Sequence, residues 1–375
     1  MRVNLLRVDL TVGLGIVSRV ITGKAQLPVL ANVLIEAEKS GVRLSATNLS
    51  LGFRVWMGGK VSQLGKVTVP ARNFSEFVNS LLSEGVEIET EGEKVKIRSG
   101  KYAATLAGIA AEEFPPFVPQ SETSEGQAPK VVIKKKMLEE ISREVAYAAA
   151  VDESRPVLTG IQFKVDKEHL TVTATDGFRL ARKIFKIQNT KLSEMKDLIL
   201  PARTALELAR VANEISSEKD TEVEVMGESN QILFRLGDVE IFSRILEGNF
   251  PEVDKIIPVE HKTKVTMDKE ELGRAVRAAG IFGRENNNII QLSIHSSQVS
   301  IRARSAQAGE GEVEVEAEVE GEEVEVSFNY KYVLDCLGGI DGERVILKAS
   351  GNLAPAVWEG EKKEDYVALI MPVRV

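Results

Sequence analysis

Three side-chain settings in the 375-residue chain suggest chemistry of their own. Asp176, in Thr175-Asp176-Gly177, has the setting of a general acid or base. The same dipeptide also closes a tight turn, with Asp bonding its own backbone and Gly supplying φ > 0. The turn is the preferred reading. Cys336 is the one cysteine. A nucleophilic thiol needs an activating base, whereas Cys336 lies in Val333-Leu-Asp-Cys-Leu337 and reads as a packed core residue. The run Gly309–Glu325 holds nine glutamates and no basic residue. Glu312 to Glu320 alternate with valine and alanine, so period two puts the apolar side chains on a core face and the glutamates in water. That reading is preferred over a divalent-metal site.

Other reactive constellations are missing. His169, His261 and His295 stand far apart, outside any zinc-ligand spacing. Lys24, Lys60, Lys66 and Lys101 follow glycines, yet none precedes Ser or Thr, so no phosphate-cradling loop is formed. There is no HExxH, no GxSxG elbow, and no GxGxxG opening a helix.

The basic residues are more informative. Arg19, Lys24, Arg72, Lys134 to Lys136, Arg143, Arg203, Arg210, Arg274, Arg277, Arg284 and Lys331 fall on or beside six expected helices. On one helix such residues are ordinary decoration. Their return at equivalent places in three repeats indicates a shared basic surface, which without a base-reading motif meets phosphates irrespective of sequence.

Those helices belong to a threefold repeat. Leu34–Asn48, Ile161–Asp176 and Ile290–Arg304 each alternate apolar residues about a polar turn, the pattern of a β-hairpin, with Ala46, Ala174 and Ala303 in the same place. Val69-Pro-Ala-Arg72 and Leu200-Pro-Ala-Arg203 then turn a strand into a helix, Val326–Leu337 being a weaker third copy. Each copy is expected to open with a helix: Leu10, Leu14, Val17, Ile21; Leu138, Ile141, Val145; Leu272, Val276, Ala279. Asp268 and Glu271 resemble a capping box. The chain therefore reads as three α+β domains, 1–125, 126–258 and 259–375, with linkers at Gln120–Pro129 and Pro258–Thr263.

Composition agrees. With 48 basic and 56 acidic residues the net charge is −8, which excludes a general polycation but permits a local basic surface. No apolar run spans a membrane, Arg2, Arg7 and Asp9 break a signal-peptide pattern, and a single cysteine suits a reducing cytoplasm.

Ala174-Thr-Asp-Gly-Phe-Arg-Leu-Ala181, Pro70-Ala-Arg72, Pro201-Ala-Arg203, Gly248-Asn-Phe-Pro251, Asn329-Tyr-Lys-Tyr-Val-Leu-Asp335 and Ile370-Met-Pro-Val-Arg-Val375, in order along the whole chain, resemble the bacterial β sliding clamp family. The resemblance implies a non-enzymatic processivity subunit of the replicative DNA polymerase. Two three-domain subunits would close head to tail around duplex DNA, with helices inside, sheets outside and no cofactor. Replicative and other polymerases, the clamp loader and repair proteins would dock short peptides in a cleft between the second and third domains.

Carried over by position, the cleft comprises Leu158, then Thr175, Gly177, Phe178, Arg179 and Leu180, then Pro251 and Ile256. Tyr332, Pro355 and Leu369 join it, and Met371, Pro372, Val373 and Arg374 complete it. An apolar trough with an adaptable Met suits a promiscuous peptide site. The DNA-facing candidates are Lys24, Arg72, Arg203 and Arg210, and ring closure would use Ala104 and Leu106 against Ile281 and Phe282. Ala104 is smaller than the usual apolar residue, Phe178 replaces a common histidine, and Pro156 and Val157 replace frequent aromatics. Two rivals stand: a hydrolase centred on Asp176, and a clamp-like scaffold that keeps the cleft but does not encircle DNA.

Overall fold

The computed structural model describes residues 1–21, 27–116, 130–166, 168–187, 197–215, 221–226, 230–361 and 365–374. Each third of the chain has one order of elements, with one extra strand, Lys60–Gln63, in the first. The first runs β1 (Arg2–Leu6), α1 (Arg7–Val17), β2 (Asn32–Glu38), β3 (Gly41–Thr47), β4 (Leu51–Met57), β5 (Lys60–Gln63), β6 (Gly65–Pro70), α2 (Ala71–Ser80), β7 (Gly85–Glu91), β8 (Lys94–Ser99) and β9 (Tyr102–Ala107). The second runs β10 (Lys130–Ile133), α3 (Lys135–Glu140), β11 (Gly160–Val165), β12 (His169–Thr175), β13 (Arg179–Lys186), β14 (Leu198–Pro201), α4 (Ala202–Glu214), β15 (Thr221–Met226), β16 (Gln231–Leu236) and β17 (Val239–Arg244). The third runs β18 (Thr263–Asp268), α5 (Lys269–Gly283), β19 (Ile289–Ile294), β20 (Gln298–Ser305), β21 (Gly309–Gly321), β22 (Val324–Asn329), α6 (Tyr330–Gly339), β23 (Arg344–Ala349), β24 (Ala356–Gly360) and β25 (Tyr366–Ile370).

The three expected hairpins are β2–β3, β11–β12 and β19–β20, and their alanines align by register: Ala46 faces Phe53, Ala174 faces Ala181, Ala303 faces Gly311. Each third opens with a strand, not a helix, because β1, β10 and β18 precede α1, α3 and α5. In β1 only Val3 and Leu5 point inward, too short an alternation to stand out beside the helical run that follows it. Ile21 lies beyond α1 in extended backbone. The apolar run Leu138, Ile141, Val145 passes from α3 into a π-helical turn at Ile141–Val145. Asp268 caps α5, accepting from the Glu271 amide at 2.7 Å. In β21 the even-numbered glutamates are exposed while Val315 is buried, as period two requires. The linker Gln120–Pro129 lies outside the described residues, and irregular backbone from Pro258 leads into β18.

Two compact units result, Met1–Lys135 with Arg210–Ile245, and Lys136–Ala209 with Leu246–Val375. The first holds a five-stranded sheet, β5-β1-β7-β8-β9, and an eight-stranded sheet, β10-β15-β16-β17-β4-β3-β2-β6. The second holds one twelve-stranded sheet, β14-β11-β12-β13-β25-β24-β23-β18-β21-β20-β19-β22. Within each unit strands of successive repeats therefore join edge to edge, through β4–β17 in one and β13–β25 in the other. α1 packs on β3 and β4, and α5 on β19, β20 and β21. α1 comes down on β4 through Gly13, where a Cβ would sit 2.9 Å from the Met57 sulfur and 3.6 Å from Val55.

Candidate functional site

The turn between β12 and β13 organises the expected cleft. Asp176 Oδ1 accepts from the Phe178 and Arg179 amides at 2.8 and 2.9 Å. Thr175 Oγ1 donates to the Arg179 carbonyl at 2.6 Å and accepts from the Gly177 amide. Gly177 has φ +91°, a conformation that Gly adopts without a Cβ clash. The Asp176 carboxylate is thus used up in holding the turn, as the turn reading expects, and its Oδ2 accepts from Arg179 Nε at 2.9 Å.

Arg179 continues outward from that anchor. Its guanidinium donates to Asp335 of α6 at 2.6 Å and lies 4.5 Å from the centre of the Tyr332 ring. Burial pulls its pKa down, but the bonds to Asp335 and Asp176 outweigh this and raise it. Burial likewise raises Tyr332. Arg179 is therefore a fixed cation that holds the turn to α6.

Below the turn Leu180, Val253, Val357 and Leu369 form one buried cluster, against which Phe250, Ile257 and Val367 pack. The strands supply it by register, Leu180 opposite Leu369 and Leu369 opposite Val357. The chain end crosses beside it: the Met371 amide bonds the Phe178 carbonyl and the Val373 amide bonds Ser327, both at 2.8 Å. Over this floor Phe178 stands 63% exposed and Ile256 46% exposed. Pro355, Met371, Pro372 and Val373 are half-buried, and Pro251 and Arg374 exposed. Leu158 is buried in the turn Pro156–Thr159.

Sequence reasoning left out Val253, Val357 and Asp335 as contributors. Val253 sits two residues past Pro251, and Asp335 closes the Asn329–Asp335 motif, so both lay within reach of motifs already noticed. Val357 is visible only through the pairing of β24 with β25.

Cys336 lies on the buried face of α6, and burial pushes its thiol up to about 12 despite a lowering bond from Tyr147. It is an inert core group.

Of the DNA-facing candidates, Arg72, Arg203 and Arg210 are exposed on α2 and α4, while Lys24 lies outside the described residues. Arg72, Arg203 and Lys331 are each the second residue of their helix. A cation at a helix start opposes the macrodipole, so helix stability does not account for its threefold return. Arg72 is held by Glu76 at 2.9 Å, and this bond raises its pKa. Of the ring-closure candidates, Ala104 and Leu106 lie on β9, the last strand of its sheet. Ile281 is 58% exposed at the end of α5, and the Phe282 ring covers Gly311 of β21.

A threefold repeat of helix pairs on sheets, joined edge to edge, is the DNA clamp fold. The comparisons with known proteins are specific: the N-terminal, central and C-terminal domains of the DNA polymerase III beta subunit match residues 1–119, 132–252 and 254–374. The chain belongs to this family, the bacterial β sliding clamps, and is a processivity factor without catalytic activity. It is 29% identical to the beta sliding clamp of Staphylococcus aureus over 367 residues, 95% of this chain and 94% of that protein. The crystal structure of the Bacillus subtilis DNA polymerase sliding clamp superposes with a TM-score of 0.92 at 28% identity, covering 100% of this chain and 99% of that one. The sliding clamp of Bartonella birtlesii bound to griselimycin gives 0.93 at 26% identity, both chains covered completely.

Proposed function

We propose that two copies of the chain close head to tail into a ring around duplex DNA, and that the cleft built on the Thr175–Leu180 turn tethers the replicative polymerase to it. One observation supports closure. The strand that follows the hairpin in one repeat pairs with the last strand of the next, β4 with β17 and β13 with β25. The same logic leaves two unmatched edges, residues 309–316 of β21 in the third repeat and β9 in the first. A second copy matches them in order, and two such junctions complete a closed cycle.

Attachment is then topological, and a chain of net charge −8 needs only weak, sequence-independent phosphate contacts from Lys24, Arg72, Arg203 and Arg210. The clamp domains are 1–125, 126–258 and 259–375. The cleft, Leu158, Thr175, Gly177 to Leu180, Pro251, Ile256, Tyr332, Pro355, Leu369 and Met371 to Arg374, takes apolar peptide anchors from polymerases, the clamp loader and repair proteins in the cytoplasm. The test is to load the protein with clamp loader and ATP onto nicked circular plasmid and linearise half. Retention on circles with loss from linear ends is expected. Equal retention on both, or none on either, favours the scaffold without encirclement.

A further inference from the structure

The proposed cleft is built around one largely buried cation, and two carboxylates are bonded to it. Arg179 Nε donates to Asp176 at 2.9 Å, and a terminal nitrogen donates to Asp335 at 2.6 Å. The Arg179 side chain is 10% exposed and that of Asp176 12%, whereas that of Asp335 is 48% exposed. Asp335 therefore covers the guanidinium on its solvent side.

The cation is held in that orientation from within. Its guanidinium carbon lies 4.5 Å from the centre of the Tyr332 ring and 5.5 Å from that of Tyr147. Tyr147 is itself fixed, its hydroxyl 2.9 Å from that of Tyr366. α6 makes room for this pair at Gly339, where a Cβ would come 2.8 Å from the Tyr366 hydroxyl and 3.0 Å from the Tyr147 ring. Alanine is the better helix former, so space for the two tyrosines accounts for the glycine. Two rings and Asp176 thus aim the fork of Arg179 at the place where Asp335 stands.

Asp335 reaches that place from its own helix. Tyr332 and Asp335 are three residues apart on α6 and share a face. In the first repeat the equivalent carboxylate, Glu76, bonds Arg72 of the same helix at 2.9 Å. In the third repeat Lys331 stands where Arg72 does. Asp335, one methylene shorter than a glutamate, pairs instead with Arg179 of the neighbouring turn.

The consequence is chemical. An arginine with free N–H groups in an apolar trough selects ligands that carry a carboxylate, through a charge-assisted bond. Arg179 already makes that bond within the chain. The other cations nearby are solvated: Arg155, whose guanidinium lies 4.0 Å from where a Gly177 Cβ would be, and Arg374 are both exposed, so salt and water screen them.

We propose that Asp335 sets the specificity of the cleft: by covering Arg179 it makes the site indifferent to acidic side chains, so that peptides are chosen by their apolar anchors. The proposal rests on the cleft reading and deepens it, naming the residue that fixes the class of peptide accepted.

The test uses the full-length protein and a labelled polymerase-tail peptide in two forms, with Glu or with Gln at the residues flanking its apolar anchors. The readout is the ratio of the two dissociation constants, Gln form over Glu form, by fluorescence anisotropy at about 50 and about 500 mM NaCl. In the unaltered protein the ratio should stay within about twofold of unity at both salts. Asp335→Ala opens Arg179 to the peptide and should raise the ratio about fivefold at low salt, the gain fading at high salt. Asp335→Glu keeps a carboxylate in place and should restore the ratio of the unaltered protein. Adding Arg179→Gln to Asp335→Ala should abolish the gain. If Asp335→Ala leaves the ratio unchanged, even with both forms weakened together, Asp335 only braces the turn and the proposal is overturned. A gain that survives Arg179→Gln reports the overall charge of the cleft and overturns it too, as does a Glu preference already present in the unaltered protein. If neither form binds the unaltered protein, the cleft reading itself falls.

Discussion

The β4–β17 and β13–β25 junctions share a backbone and differ in what they carry. Both begin at the same turn. Thr47 Oγ1 donates to the Leu51 carbonyl and Asn48 Oδ1 accepts from the Ser50 and Leu51 amides, as Thr175 and Asp176 do in the other. The Arg244 amide bonds the Ser50 carbonyl as the Met371 amide bonds that of Phe178. The side chains then part. Phe178, Arg179 and Leu180 of one turn correspond to Ser50, Leu51 and Gly52 of the other, so only one frame presents an aromatic side chain, a fixed cation and a leucine floor. Inside, buried Val55 faces Val239 in the first junction, whereas Lys183, 1% exposed, faces Tyr366 in the second. The frame is generic, and a few side chains set apart the copy proposed as the binding cleft.

The sharpest contrast is the buried charge. Lys183 Nζ lies 3.0 Å from Glu144, which has no exposure, and 3.0 Å from Asp365. Such a cluster adds little net stability, yet removing one partner leaves an uncompensated charge. Lys183→Met should therefore lower the unfolding free energy by about 3–5 kcal/mol in urea titrations. Lys183→Met with Glu144→Leu should recover much of the loss. Val55→Ala, a cavity at an apolar junction, should cost less, about 1–2 kcal/mol. Equal costs at the two positions would show that the charge cluster is not what distinguishes them.

The same junctions should differ in alkali. Burial holds Cys336 protonated up to about 12 in the folded state, above the ordinary thiol value of 9.0. The raised value means that its contribution to stability is complete below about pH 9. It is lost progressively as pH rises toward 12, because the unfolded chain releases the proton first. Tyr147 and Tyr366, whose hydroxyls lie 2.9 Å apart, are raised in the same sense, chiefly by burial. Unfolding titrations should show stability falling by up to about 1.4 kcal/mol per pH unit above pH 9 from the thiol alone. Cys336→Ala should flatten that slope. Val55 and Val239 have nothing to titrate.

Legibility in the sequence followed range. The hairpins, the α5 cap, the glutamate strand and the Asp176 turn rest on neighbours within a few residues, and their spacing displays them. Lys183 was half-legible: it shares the inward phase of β13 with Ala181 and Phe185, so period two marks it as buried. Its partners at 140, 144 and 365 lie too far along the chain for spacing to join them. The edge-to-edge junctions were hidden for the same reason, and with them the floor contributed by Val357. The proposed cleft rests on the resemblance of its motifs, since Leu180 by itself reads as core.

The exposed side chains separate binding from folding. Phe178 is 63% exposed, and the bonds that hold its turn come from Thr175, Asp176, Arg179 and the Met371 amide, not from its ring. Phe178→Ala should weaken a labelled polymerase-tail peptide about tenfold or more by fluorescence anisotropy, as loss of an aromatic anchor does, while the melting temperature stays unchanged. Ser50→Ala at the matching position should leave peptide affinity as it was. Equal loss from both would mean that the turn, not its side chain, makes the cleft.

The smallest effect comes from the one residue that fits its turn poorly. Gly177 takes φ +91° freely, but Leu49 at the equivalent place holds φ +75° with its side chain 43% exposed. A left-handed conformation costs a non-glycine residue about 1–2 kcal/mol, and a half-exposed leucine regains only part of that by packing. Leu49→Gly should therefore raise the unfolding free energy by about 0.5–1 kcal/mol, the remainder being offset by glycine's greater freedom in the unfolded chain. Peptide binding should not move. If Leu49→Gly destabilises instead, the leucine side chain contributes more packing at the β4–β17 junction than its exposure indicates, and the two turns differ in more than their surface.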